Sequence, residues 1–255
     1  SWLLSTAALR NNLCVNRQTN KVIRAIVPMH TFGHPCDIEG LGEVAEEFKL
    51  TLIEDAAESL GSSYKGRQTG TFGDLGILSF NGKKTIPPGG GGAILTNDVQ
   101  LSARAKHLSS TAKAPHPWEF NHTEVAYNYR MPNINAALGC AQLEQLSDFL
   151  AAKRNLSLIY ERALRGIENI QLVREAADCQ SNYWLQALLL DESAAEQRDQ
   201  ILQTTNDAGY MTRPAWTLMH KLEHFSDCPR SPLPVAESLS QRLINIPSSA
   251  CLGAN

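Results

Sequence analysis

Asp37-Ile38-Glu39-Gly40-Leu41-Gly42-Glu43-Val44-Ala45-Glu46-Glu47-Phe48-Lys49-Leu50-Thr51-Leu52-Ile53-Glu54-Asp55 decides how this chain folds. Asp37 to Lys49 reads as an amphipathic helix, and Asp37, after Pro35 and Cys36, is placed to cap its N-terminus. Leu50 to Glu54 reads as an apolar, β-prone strand, and Val22 to Met29, ahead of the helix, as a buried strand. Strand, helix, strand is the rhythm of a parallel sheet with crossover helices, so the expected class is α/β.

Asp74 to Phe80 and Ala93 to Thr96 continue the sheet as short strands. From Ile134 to about Gly166 the sequence favours one long helix or two broken ones. Asn182 to Leu190 then reads as a strand, Ser193 to Ala208 as a helix that Ser193 and Glu196 open as a capping box, and Tyr210 to Arg213 as another strand. The expectation is a large domain over 1–150 with a mostly parallel sheet, and a small C-terminal α/β domain over 151–255. Cys228 to Pro234 is an irregular, proline-rich surface segment.

Between two of the strands lies Ser79-Phe80-Asn81-Gly82-Lys83-Lys84-Thr85-Ile86-Pro87-Pro88-Gly89-Gly90-Gly91-Gly92. A nucleophilic amine needs a fixed, partly desolvated position, and glycines let backbone crowd against a flat or anionic ligand. The combination suggests a Schiff-base lysine. Upstream, the strand ends in Glu54-Asp55-Ala56-Ala57-Glu58-Ser59. An acid there is costly without a cationic partner, and a protonated pyridine nitrogen supplies one for Asp55, which points to pyridoxal phosphate. Ligands of open α/β sheets gather at strand carboxyl ends, where Asp55, Ser79 and Lys84 sit in this reading.

Val27-Pro28-Met29-His30-Thr31-Phe32-Gly33-His34-Pro35 with Asp37-Ile38, the Glu54 to Glu58 run, the Ser79 to Lys84 run with its glycines, and Tyr127-Asn128-Tyr129-Arg130-Met131 follow one another in a set order. In that order they resemble the motifs of the DegT/DnrJ/EryC1/StrS nucleotide-sugar aminotransferases, in particular the LegC-like branch, which aminates a 4-keto-6-deoxy nucleotide sugar. The resemblance implies the fold type I of pyridoxal phosphate-dependent transferases, like aspartate aminotransferase. It implies Lys84, five residues after Ser79, as the cofactor-bonded lysine with Lys83 its neighbour, and Asp55 as the pyridinium partner. Glu58 stands where many members have glutamine beside the ring hydroxyl. Ser79 matches a phosphate ligand, and Asn128 a residue that reaches the phosphate of a neighbouring subunit's cofactor, hence a homodimer or higher homo-oligomer with composite sites. The family pattern is entered only near Val22, which implies a fragment or shortened relative with an incomplete large domain and one wall of the cofactor pocket missing. Trp2, Leu3 and Leu4 are expected to cover apolar surface left open by that loss.

The 255 residues suffice for one large or two modest domains, and the formal charge of -3 gives no basic footprint for nucleic acid. Six scattered cysteines without C-x-x-C spacing favour reduced thiols in a cytoplasm, and no run reaches membrane-spanning length. His30 and His34 lack a third ligand at suitable spacing, so they read as core or loop histidines and no metal is expected. Trp118, Tyr127 and Tyr129 read as packing or interface residues. Arg130 and Arg213 either bind the anionic parts of a substrate or pair with carboxylates.

The activity implied is transamination, with glutamate as amino donor, a keto sugar on a nucleotide as acceptor, and Lys84 as proton carrier. A non-catalytic chain that folds and oligomerises without cofactor is the alternative. A sugar dehydratase of the same fold fits less well, because such relatives carry histidine where Lys84 stands.

Overall fold

The computed structural model describes residues 3–16 and 23–254. Helix α1 (Thr6–Asn16) lies against α2 (Ile38–Phe48), which connects β1 (Ala25–Ile26) to β2 (Thr51–Asp55). Ile38, Leu41, Val44 and Ala45 form the buried stripe of α2, and with Leu13, Ile26 and Leu52 they build the first core. The helix starts where Asp37 accepts the Gly40 N–H and stops at Lys49, which turns left-handed at φ 56°. Leu3 packs on this core and Leu4 is partly exposed; Trp2 and Val22 lie outside the described residues.

After β2 come the hairpin β3 (Ser63–Tyr64) and β4 (Arg67–Gln68), then β5 (Leu75–Ser79) and β6 (Gly92–Leu95). The first sheet runs β1-β2-β5-β6, parallel through its first three strands; β6 returns antiparallel to β5 because the glycine loop folds the chain back. The strand expected over 22–29 shortens to Ala25–Ile26, with one further bridge at Met29. Pro28 has no N–H for the ladder, though its carbonyl accepts from Asp55.

Helix α3 (Val99–Ser109) leads to α4 (Asn133–Leu143) and α5 (Leu146–Ala163), two helices where one or two were expected. The remaining elements are β7 (Ile170–Leu172), β8 (Cys179–Gln180), β9 (Gln186–Leu190), α6 (Arg198–Asp207), β10 (Arg213–Pro214), α7 (Pro234–Arg242) and β11 (Leu243–Ile246). They give a second, wholly antiparallel sheet, β10-β11-β9-β7, with Leu188, Leu190, Ile244 and Ile246 packed against Tyr160 and Leu164 from the α5 end and Ile201 and Leu202 from α6. A third sheet, β4-β3-β8, ties residue 63 to residue 180.

Three boundaries further along the chain also differ from expectation. The strand expected from Asn182 starts at Gln186, because Tyr183 takes φ 46° and Asn182 turns its side chain inward. Ser193 and Glu196 make no capping box; they lie in a tight 3-10 turn that drives Ala194 into the second core, and α6 begins at Arg198. Tyr210 closes α6 instead of opening a strand. Gly209 is left-handed, its N–H meets Asn206 O, and Tyr210 N–H meets Thr205 O, a Schellman closure. Among the described residues, no helix is long and apolar enough to cross a membrane.

Candidate active site

Side chains alternate along β2, so Leu52 and Glu54 are buried while Ile53 and Asp55 occupy the other face. Glu54 is 0 % exposed and fully answered: His30 Nε2 stands 3.1 Å from Oε2, Gly70 N–H donates to the same oxygen at 2.8 Å, and Phe72 and Gly73 donate to Oε1. His30 accepts the Cys36 N–H on Nδ1, so Nε2 carries the proton given to Glu54. Burial works against ionising Glu54, but the His30, Gly73 and Gly70 donors outweigh it, and the carboxyl is held below its ordinary value. The fully buried acid at this strand end is therefore Glu54, and the expectation of a costly burial at Asp55 belongs to its neighbour.

Asp55 accepts the Ala57 N–H on Oδ1 at 3.2 Å. No cation pairs with it among the described residues. Glu58 follows one turn later, 8 % exposed, its Oε2 accepting the Phe32 N–H at 2.8 Å. Burial pushes the Glu58 carboxyl above the usual range; the Phe32 N–H and the Lys84 ammonium pull it down, and Asp55 pushes it up again. Glu58 thus feels both residues that the sequence paired.

Lys84 rides the loop between β5 and β6. Its N–H bonds Asn81 O, the Asn81 side chain accepts from Lys83 N–H, and Ser79 Oγ accepts from Asn81 N–H. Buried Ile86 and Pro88 anchor the loop, and Asn135 donates to Pro88 O. The Lys84 Nζ reaches Glu58 Oε1 at 3.4 Å and lies 4.0 Å from the centre of the Trp184 ring. Gly82 and Gly90 have nothing within 4 Å of where a Cβ would stand, so the loop is open there. An amine, an unpaired carboxylate and open glycines fit a flat, anionic, electrophilic cofactor.

Trp184 and Asn182 belong to this site although the sequence reading placed them in a strand. Trp184 Nε1 donates to Lys83 O at 2.7 Å and its N–H to Asn182 Oδ1 at 2.8 Å. Buried Asn182 also donates to Glu58 O and Leu60 O, both at 2.9 Å. From α5, Lys153 donates to Tyr183 O, Trp184 O and Ser248 O, and burial lowers its ammonium to about 8. These bonds hold residues 182–184 against the lysine loop.

Three expected residues make their bonds with partners other than Lys84 and Glu58. Asn128 and Arg130 are exposed and bonded to each other at 3.2 Å, and exposed Arg213 donates to Asn206 Oδ1 and Thr212 O. None of the three bonds Lys84 or Glu58. His30 serves Glu54, and among the described residues no group of three His, Cys, Asp or Glu side chains is arranged to hold a metal ion.

A family model for the DegT/DnrJ/EryC1/StrS aminotransferase family matches residues 1–255. The chain is 38 % identical over 248 residues to a GDP-perosamine synthase of Escherichia coli O157:H7, covering 97 % of this chain and 65 % of that one. It is 34 % identical over 220 residues to the putative pyridoxal phosphate-dependent aminotransferase EpsN of Bacillus subtilis, with 86 % and 56 % covered. It thus spans less than two thirds of the length of these relatives. The aminotransferase TlmJ from Streptoalloteichus hindustanus superposes with a TM-score of 0.86 at 25 % identity, covering 98 % of this chain and 67 % of that one. A DegT DnrJ EryC1 StrS aminotransferase from Brucella abortus superposes at 0.89 and 23 % identity, covering 97 % and 65 %. The fold is the α/β fold type I of such transferases, and the chain belongs to the DegT/DnrJ/EryC1/StrS aminotransferase family.

Proposed function

We propose that the protein is a pyridoxal phosphate-dependent aminotransferase that moves an amino group from glutamate to a 4-keto-6-deoxy sugar carried on a nucleotide. The observation that carries this reading is the Lys84 amine held 3.4 Å from Glu58 in a site that Asp55 also reaches electrostatically. In this reading Lys84 bonds the cofactor's aldehyde carbon, Asp55 keeps the ring nitrogen protonated, Glu58 meets the ring hydroxyl, and Ser79 holds the phosphate together with Asn128 of a second copy. When bound, the cofactor supplies an electron sink for charge developing at the amino-bearing carbon. Lys84, once freed, takes a proton on Nζ from the donor's α-carbon and later delivers one to the sugar carbon. Glu58 and the Trp184 face keep the freed amine close. Arg130 and Arg213 offer cationic groups to the substrate's anionic parts.

Residues 1–150 form the cofactor domain and 151–255 the small domain in this proposal. The working unit is a homodimer or higher homo-oligomer, and the six free cysteines suit a reducing cytoplasm. Adding pyridoxal phosphate is expected to give a yellow species that borohydride fixes onto a peptide containing Lys84, and Lys84→Ala to abolish both. Absence of colour in the unsubstituted chain would leave the non-catalytic reading standing; fixation on another lysine would remove Lys84 from its role.

A further inference from the structure

An aromatic series leads outward from Lys84. Its ammonium lies 4.0 Å from the centre of the Trp184 indole, which stacks on Trp216 with centroids 6.0 Å apart and planes 5° from parallel. Phe32 backs Trp216 at 5.7 Å, and the same Phe32 gives its N–H to Glu58. Trp184 is 6 % exposed and fixed from both sides by Lys83 O and Asn182 Oδ1. Trp216 is 58 % exposed. An indole used only for packing gains most by burying its whole surface, yet this one rests on a rigid backing with much of its surface in water.

We propose that Trp216 is a stacking platform for the nucleobase of the sugar nucleotide; this rests on the function proposed above. The reacting carbon must meet Lys84, so the hexose lies at the Lys84 end of the series. A ring on the outer surface of Trp216, one further contact distance of about 3.5 Å away, is the ring at the far end of the diphosphate. Aromatic faces accept every base, because every base presents a π-surface. Arg213 lies three residues before Trp216, on β10. Its bonds go to the neutral acceptors Asn206 Oδ1 and Thr212 O, which leaves its charge for the diphosphate.

Calorimetric titration with guanosine diphosphate, thymidine diphosphate, a hexose 1-phosphate and inorganic pyrophosphate separates the parts of such a ligand. Both nucleoside diphosphates are expected to bind at least roughly tenfold tighter than pyrophosphate. Trp216→Ala is expected to erase that advantage while leaving pyrophosphate binding unchanged, and Trp216→Phe to keep most of it. The platform is overturned if the advantage survives in Trp216→Ala, if the unsubstituted chain shows none, or if the hexose 1-phosphate alone depends on Trp216. Borohydride fixation on Lys84, measured on the same proteins, keeps the two ideas apart. Fixation without any Trp216 effect sinks only the platform, whereas no fixation in the unsubstituted chain sinks the aminotransferase reading.

Discussion

Glu54 shows how a buried charge survives at the end of a strand. An isolated carboxylate in a dry interior would take up a proton, but Glu54 receives the His30 ring and three peptide N–H groups, so ionisation is favoured. Glu54→Gln keeps the shape and turns an amide NH2 toward groups that are themselves donors. The expected loss is about 2–4 kcal/mol of stability, read as a lower urea midpoint. The pH dependence has a definite sign. The folded value lies below the reference value of 4.5, so the unfolded chain binds the proton first as acid is added. The contribution is complete above 4.5 and is lost as pH falls through the folded value, so the variant should show a shallower acid slope. An equally steep slope in Glu54→Gln would show that Glu54 is not the group titrating. The sequence displays Glu54 and Asp55 side by side at one strand end. It does not display which way the alternation points, and only the packing of the two faces of β2 settles that Glu54 is the buried acid.

At the scale of elements, the turn Thr31–Gly33 connects the strand edge to the lysine loop. Phe32 and Gly33 are consecutive left-handed residues, at φ 57° and 93°, which aims the Phe32 N–H at Glu58 and makes room for Asn182. A Cβ on Gly33 would stand 1.8 Å from Asn182 Oδ1, the atom that holds Trp184 N–H. Gly33→Ala should therefore cost roughly 2–4 kcal/mol through backbone strain and a displaced Asn182. It should also reduce borohydride fixation on Lys84 and shift the tryptophan emission. A destabilised variant with undiminished fixation would mean that Asn182 does not hold the lysine loop in place. The β1-α2-β2 unit was legible because the eleven-residue amphipathic helix shows its period and Leu50 to Glu54 is an apolar, β-prone run. Strands β3, β4 and β8 have two residues each, too few to show one, and the left-handed backbone at Tyr183 carries no sequence mark. Asp55 was read from a strand end, Lys84 from the paired lysines and glycines of its loop, and Glu58 from the family resemblance alone. Trp184 was not legible, because residues 182–184 reach the site from about a hundred positions along the chain.

Across the whole molecule, the segment from Trp118 to Leu138 carries apolar surface that the chain itself leaves uncovered. Val125 is 88 % exposed, Ile134 80 %, and Trp118, Phe120 and Tyr129 are about as open. Stacked Tyr127 and Tyr129 flank Asn128, the residue proposed to serve a neighbouring site. Isolated exposed apolar residues are ordinary, but a run of large ones around a functional candidate marks an association surface. A second copy of the chain is the proposed occupant, since Asn128 and Arg130 bond each other and neither Lys84 nor Glu58. Light scattering is expected to show a homo-oligomer, and Ile134→Asp to weaken it by roughly tenfold or more, the equivalent of losing one buried aliphatic side chain. Because Ile134 is 80 % exposed and packs on nothing in its own core, Ile134→Asp should leave each chain folded. Cofactor capture in that variant should then rise with protein concentration, as it must if a neighbour supplies part of the site. A monodisperse monomer that captures pyridoxal phosphate fully would sink the shared site, and Asn128 would have to act within its own chain or not at all.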